Sequence, residues 1–95
     1  MKSETSQWTD ETVPYICWDR GWSVGEIARR LRNSEGENRH RLMAWLMREL
    51  KTGEVWYFLR PDEVYRDFQS IQRWLGAARE LWVYLFRTWH ELGKI

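Results

Sequence analysis

Apolar residues recur at helical spacing along most of this chain, and the gaps in the pattern mark where helices stop. Val13, Ile16 and Cys17 lie at i, i+3 and i+4, and Pro14 is tolerated in a first turn, so a short helix is predicted over 12–19, closed by Gly21. Ser23 and Glu26 have capping-box spacing, in which the hydroxyl accepts from the backbone N–H three residues on and the carboxylate reaches back. Val24, Ile27, Ala28 and Leu31 follow as one buried stripe, which turns Glu26, Arg29, Arg30 and Arg32 toward solvent or a partner. Residues 33–38, Asn-Ser-Glu-Gly-Glu-Asn, contain no apolar side chain and predict a turn. Leu42, Met43, Leu46, Met47 and Leu50 then define a helix from Asn38 to Lys51, stopped by Thr52 and Gly53.

The pattern changes after Gly53. Residues 55–59, Val-Trp-Tyr-Phe-Leu, are continuous, β-branched and aromatic, as in a short buried strand. Pro61, Asp62 and Glu63 suit the first turn of another helix, since proline lacks the N–H that is orphaned there and acids complement the helix dipole. Val64, Phe68, Ile71, Leu75, Ala78, Trp82, Leu85, Trp89 and Leu92 are spaced alternately by four and three, a heptad seam. One helix along that seam is about 45 Å long, more than the preceding residues can cover. The seam from Phe68 through Ile71, Leu75, Ala78, Trp82, Leu85, Trp89 to Leu92 is therefore expected to be a homodimer interface of coiled-coil type, with ordinary core packing in a helical hairpin as the alternative. Gly76 is the point at which it could break into two helices.

Composition and charge sharpen this picture. A chain of 95 residues supports one domain with a marginal core, which also favours self-association. Eight tryptophans are several times ordinary usage, so some rings are expected to meet more than their own core. The lone cysteine, Cys17, cannot form an internal disulfide, and no secretory leader or membrane span is legible; a cytoplasmic location with no membrane partner is expected. Net charge is +1, but residues 29–60 hold eight basic and four acidic groups, a footprint compatible with an anionic partner.

Taken together, Trp-Ser-Val-Gly-Glu-Ile-Ala-Arg-Arg-Leu at 22–31, the amphipathic stretch 38–50 and the exit Thr-Gly-Glu-Val-Trp-Tyr-Phe-Leu-Arg-Pro at 52–61 resemble a winged helix-turn-helix of small bacterial and archaeal repressors of the metal-sensor and phenolic-acid-sensor types. The resemblance spans roughly residues 12–65. It implies a mostly α fold with a minimal β element and a winged helix-turn-helix-like core at 10–60; the heptad seam makes 61–95 a C-terminal oligomerisation helix, and the polar, aperiodic residues 1–9 read as a loose arm anchored by Trp8. Compared with that family the turn after the first helix is lengthened by Ser-Glu-Gly-Glu and the wing is truncated, while Glu35 and Glu37 sit where phosphates would approach.

The function this implies is DNA binding by a small dimeric transcriptional regulator, with double-stranded DNA and a second copy as partners. Arg39, His40, Arg41, Trp45 and Arg48 would meet the major groove, and Arg29, Arg30 and Arg32 the flanking backbone, since guanidinium forks fit phosphate and the guanine edge. The alternative is an adaptor that binds another protein through a tryptophan-rich surface on the same scaffold. His40 and His90 have no cysteine or carboxylate at ligand spacing, so neither a metal nor any other cofactor is expected. No nucleophile, base or phosphate-cradling glycine loop has a recognisable spacing, and an enzyme is not expected.

Overall fold

A computed structural model describes residues 8–17 and 19–93 of the chain; residues 1–7, most of the expected N-terminal arm, lie outside the described part. The fold is mostly helical. After a 3-10 turn at Tyr15–Cys17 come α1 (Val24–Asn33), α2 (Gly36–Glu49), the single turn α3 (Thr52–Val55), α4 (Pro61–Ile71), two further 3-10 turns at Gln72–Trp74 and Gly76–Ala78, and α5 (Arg79–Glu91). α2 is the hub, touching α1, α3, α4 and both later 3-10 turns.

α1 begins as its sequence dictates. The Ser23 hydroxyl accepts from the Glu26 N–H at 3.2 Å, and Val24, Ile27 and Leu31 are buried. Such a cap contributes about 1 kcal/mol. The N–H groups of Val24 and Gly25, orphaned at the helix start, donate to the carbonyls of Thr12 and Asp10 at 2.7 and 2.9 Å, which pins the segment before α1 across its N-terminus. Trp8 packs on Tyr57 and Phe58, with centroids 5.2 and 5.8 Å apart. The helix expected over 12–19 contracts to the 3-10 turn, inside which Cys17 is buried; burial pushes its thiol pKa up.

The turn between α1 and α2 is two residues, Ser34 and Glu35, not the longer loop expected from 33–38. Two devices shorten it. Gly36 adopts a φ of +56°, in the left-handed region glycine enters without steric cost. The orphan carbonyl of Leu31 at the end of α1 accepts from the Ser34 hydroxyl at 3.2 Å and from Arg39 Nη1 at 2.6 Å.

The strand expected over 55–59 is not formed, and no strand occurs among the described residues. Instead, the N–H groups of Tyr57, Phe58 and Leu59 donate to the carbonyls of Glu54, Val55 and Val55, so the donors a strand ladder would need are spent locally. Val55 and Leu59 are buried four residues apart, a helical register concealed within a continuous apolar run. Glu54, 2% exposed, fixes the turn: its Oε1 accepts from the Tyr15 hydroxyl at 2.6 Å and from the Lys51 N–H at 3.1 Å.

The single long helix expected along the heptad seam is also replaced. α4 stops at Ile71, and Gly76 at φ +56° turns the chain so that α5 folds back. Trp82, fully buried, then donates its indole N–H to the Met47 carbonyl at 3.1 Å, one of the orphan acceptors at the C-terminal end of α2. Of the residues assigned to a homodimer seam, Ile71, Leu75 and Trp82 lie in the chain's own core, and Phe68, Ala78, Leu85 and Trp89 pack against it. Leu92 stays 65% exposed. The seam closes the monomer because the break supplies the cover that a straight helix lacks. Among the described residues no helix is long and apolar enough to cross a membrane.

Candidate nucleic-acid interface

α2 presents two polar faces with different fates. Arg39 and His40, in its first half, turn toward α4. Arg39 donates to Glu63 through Nε at 3.1 Å and also through Nη2, while Nη1 holds Leu31 O. His40 Nε2 lies 3.6 Å from Asp67. The hydrogen bond from Arg66 to Asp67 above all, opposed by partial burial and helped by Arg66 and His40, holds that carboxyl below its ordinary pKa. The side chains of Arg39 and Glu63 are only 26 and 21% exposed. These two members of the expected groove-reading set serve to dock α2 on α4.

Arg41, Trp45 and Arg48, at i, i+4 and i+7, occupy the other face and gather rings and guanidinia from elsewhere in the chain. Trp45 meets Trp22 edge to face at 5.6 Å. The Arg20 guanidinium lies 4.9 Å from both ring centroids, and Arg30 lies 4.1 Å from that of Trp22. At the far side, Trp74 is flanked by Arg41 at 4.4 Å and Arg73 at 4.8 Å, and its carbonyl accepts from Arg48 Nη1 at 2.9 Å. The Trp74 indole N–H is buried with no hydrogen-bond partner. A guanidinium laid on an indole keeps its N–H edge directed outward for an anion.

Carboxylates temper the charge. Glu26 pairs with Arg29 at 2.6 Å and Arg30 at 2.9 Å, Glu37 with Arg41 at 3.0 Å, and Glu49 with Arg48 at 3.4 Å. Hydrogen bonding from Arg29, and the charges of Arg29 and Arg30, hold the Glu26 carboxyl below its ordinary pKa against a smaller opposing effect of desolvation. All of these acids sit within four residues of their partner, so a competing phosphate displaces an exposed helix-surface pair worth little. Arg32 is exposed, away from the Trp45 face, on the rim of a groove of about 610 Å³ shared with Arg39 and Tyr57.

The expected set is thus divided. Arg30, Arg41, Trp45 and Arg48 come together, whereas Arg29, Arg32, Arg39 and His40 lie elsewhere or are spent on internal contacts. Arg20, Trp22, Arg73 and Trp74 join the face unforeseen. Their signal was the adjacency of arginine and tryptophan in Arg20-Gly-Trp22 and Arg73-Trp74, outside the helix thought to carry the site. No protein-family model, characterised protein or solved structure matches the chain.

Proposed function

We propose that the protein binds DNA through the Arg–Trp face of α2 and acts as a small transcriptional regulator, with α1 and α2 forming a helix-turn-helix that lacks a wing. The observation that carries this reading is the interleaving of five guanidinia, those of Arg20, Arg30, Arg41, Arg48 and Arg73, with three indoles around one helix face. Alternating cations and π-surfaces match a polymer whose phosphates and bases alternate.

Fluorescence anisotropy of labelled DNA titrated with protein tests this. Affinity is expected to fall with salt, with a log–log slope of about −0.9 per phosphate contacted on duplex and about −0.7 on single strands. Arg41→Ala should lessen that slope by about one contact, while Arg32→Ala, remote from the face, should leave it unchanged. Absence of binding to any DNA at about 50 mM salt would remove the reading.

A second reading, contact with protein, is favoured by α5. Leu81, Tyr84 and Leu92 are 50, 62 and 65% exposed, and Leu81, Leu85, Thr88 and Leu92 repeat at four, three and four residues along one flank. That spacing is a short heptad seam suited to a second copy. A homodimer then uses this flank, and sedimentation showing only monomer at high protein concentration would exclude it.

A further inference from the structure

We infer that the DNA form this protein prefers is single-stranded, with one unpaired base received in the cavity beside Trp45; the inference rests on the DNA-binding reading above. The cavity has a volume of about 250 Å³ and is lined by Ile16, Asp19, Arg20, Trp45, Arg48 and Glu49. Its walls come from two sides. α2 supplies Trp45, Arg48 and Glu49, and the segment after the 3-10 turn supplies Asp19 and Arg20. That segment is held in place by the Cys17 carbonyl, which accepts from the N–H groups of Arg20 at 3.0 Å and Gly21 at 2.8 Å. With Cys17 itself fully buried, this wall is anchored in the core rather than draped over the surface.

Size and chemistry select the occupant. The space accepts one planar ring system and not the stacked pairs of a duplex. A base entering it meets the Arg20 guanidinium, which lies over the Trp45 indole 4.9 Å from its centroid, and the rim of that ring. A guanidinium plane backed by an indole is a surface on which unstacked bases settle. Arg20 and Arg48 both line the cavity and supply the charge that the entrant base's flanking phosphates need. Asp19 and Glu49 are acceptor-only when ionised, so they pair with amino and imino N–H groups on the Watson–Crick edge. A duplex occupies that edge, and only an unpaired base offers it. The exocyclic amine of cytosine offers two N–H donors to the pair of carboxylates, whereas thymine offers a single N3–H flanked by two carbonyl oxygens that repel them.

Other features of the face agree. The arginine and histidine at the start of α2, which a groove-reading helix would lead with, are committed to Glu63, Asp67 and Leu31. The α2 start also bears Glu35 and Glu37, which oppose the close approach of a duplex backbone.

The test compares labelled oligo-dC and oligo-dT of about 12 nucleotides with a mixed-sequence single strand and its duplex, at low salt, using the full chain. The single strand is expected to bind at least about tenfold tighter than the duplex, and oligo-dC tighter than oligo-dT, since loss of one base stack typically weakens binding about tenfold. Trp45→Ala should lower single-strand affinity by that factor. Because Trp45 is half-buried, Arg20→Gln serves as the second variant; it is exposed, so helicity should be intact while affinity falls and the salt slope lessens by about 0.7. The double variant Asp19→Ala with Glu49→Ala should bind all strands more tightly yet lose the preference for oligo-dC. Duplex binding as tight as or tighter than single-strand binding overturns this inference and leaves DNA binding standing. Single-strand binding indifferent to Arg20→Gln, or a dC preference that survives removal of both acids, overturns the cavity as its seat. Binding to no DNA overturns both.

Discussion

Trp82→Asp is expected to unfold the chain, not to release a folded monomer. The Trp82 ring is fully buried against Trp56 at 5.7 Å and Phe86 at 5.7 Å, and its N–H holds the Met47 carbonyl. Removing such a ring costs about 3–5 kcal/mol through lost packing and the cavity left behind. Placing a carboxylate there adds a desolvation penalty of several kcal/mol unless it protonates. The sum is comparable to the whole stability of a small domain, about 5–15 kcal/mol. Far-UV circular dichroism should show most helix lost, with no cooperative thermal transition. Were the seam an intermolecular contact, the same substitution would leave a helical monomer visible by sedimentation, and that result would defeat the intramolecular packing described above.

Arg39→Ala should lower stability by about 2 kcal/mol, the usual scale for hydrogen bonds to charged groups, and the midpoint of thermal unfolding by about 10 °C. Arg39 joins three elements at once: the last turn of α1 through Leu31 O, α2 on which it sits, and α4 through Glu63. Its loss leaves the Leu31 carbonyl with the Ser34 hydroxyl alone and a mostly buried carboxylate with no cation. Lysine should not restore it, since a single ammonium cannot reproduce a fork that reaches both acceptors. DNA affinity measured well below the transition should be unchanged. An unaltered melting curve with weakened DNA binding would return Arg39 to the interface and sink its structural role.

These two residues also show what was legible in the sequence. The predominance of helix, the Ser23 cap and the buried stripes of α1 and α2 followed from local periodicity and capping chemistry, which need no knowledge of distant neighbours. Residues 55–59 misled because a short run of apolar residues has no period, and its choice between strand and turn was made by Glu54, whose partner Tyr15 lies far upstream. The seam misled in the opposite way. Its period was genuine, but the left-handed conformation of Gly76, the break point and hairpin alternative already legible in the sequence, divided it between two elements, and an unbroken period outweighed that one glycine. For the candidate site, the i, i+4, i+7 spacing of Arg41, Trp45 and Arg48 identified one face correctly. It could not distinguish Arg39 from Arg41, because one finds Glu63 across the fold and the other only Glu37 on its own helix. Nor could it bring Trp22 and Trp74 to that face, since they arrive by tertiary packing from either side of the α1–α4 segment.

The fold-back at Gly76 has a consequence for how the chain is made. Synthesis runs from the N-terminus, so α1 to α4 emerge with their short connections complete, and α2 can meet α1, α3 and α4 through contacts close in sequence. Such local contacts form quickly, because little loop entropy is lost in closing them. Trp82 and Phe86 arrive last. Until they do, Ile71, Leu75 and the inner side of α2 lack their cover, and the nascent chain exposes an apolar surface of the kind that attracts chaperones or like chains. The closing step of folding is therefore the docking of α5, and a ribosome-bound chain halted before Trp82 should be held by chaperones until that helix is released.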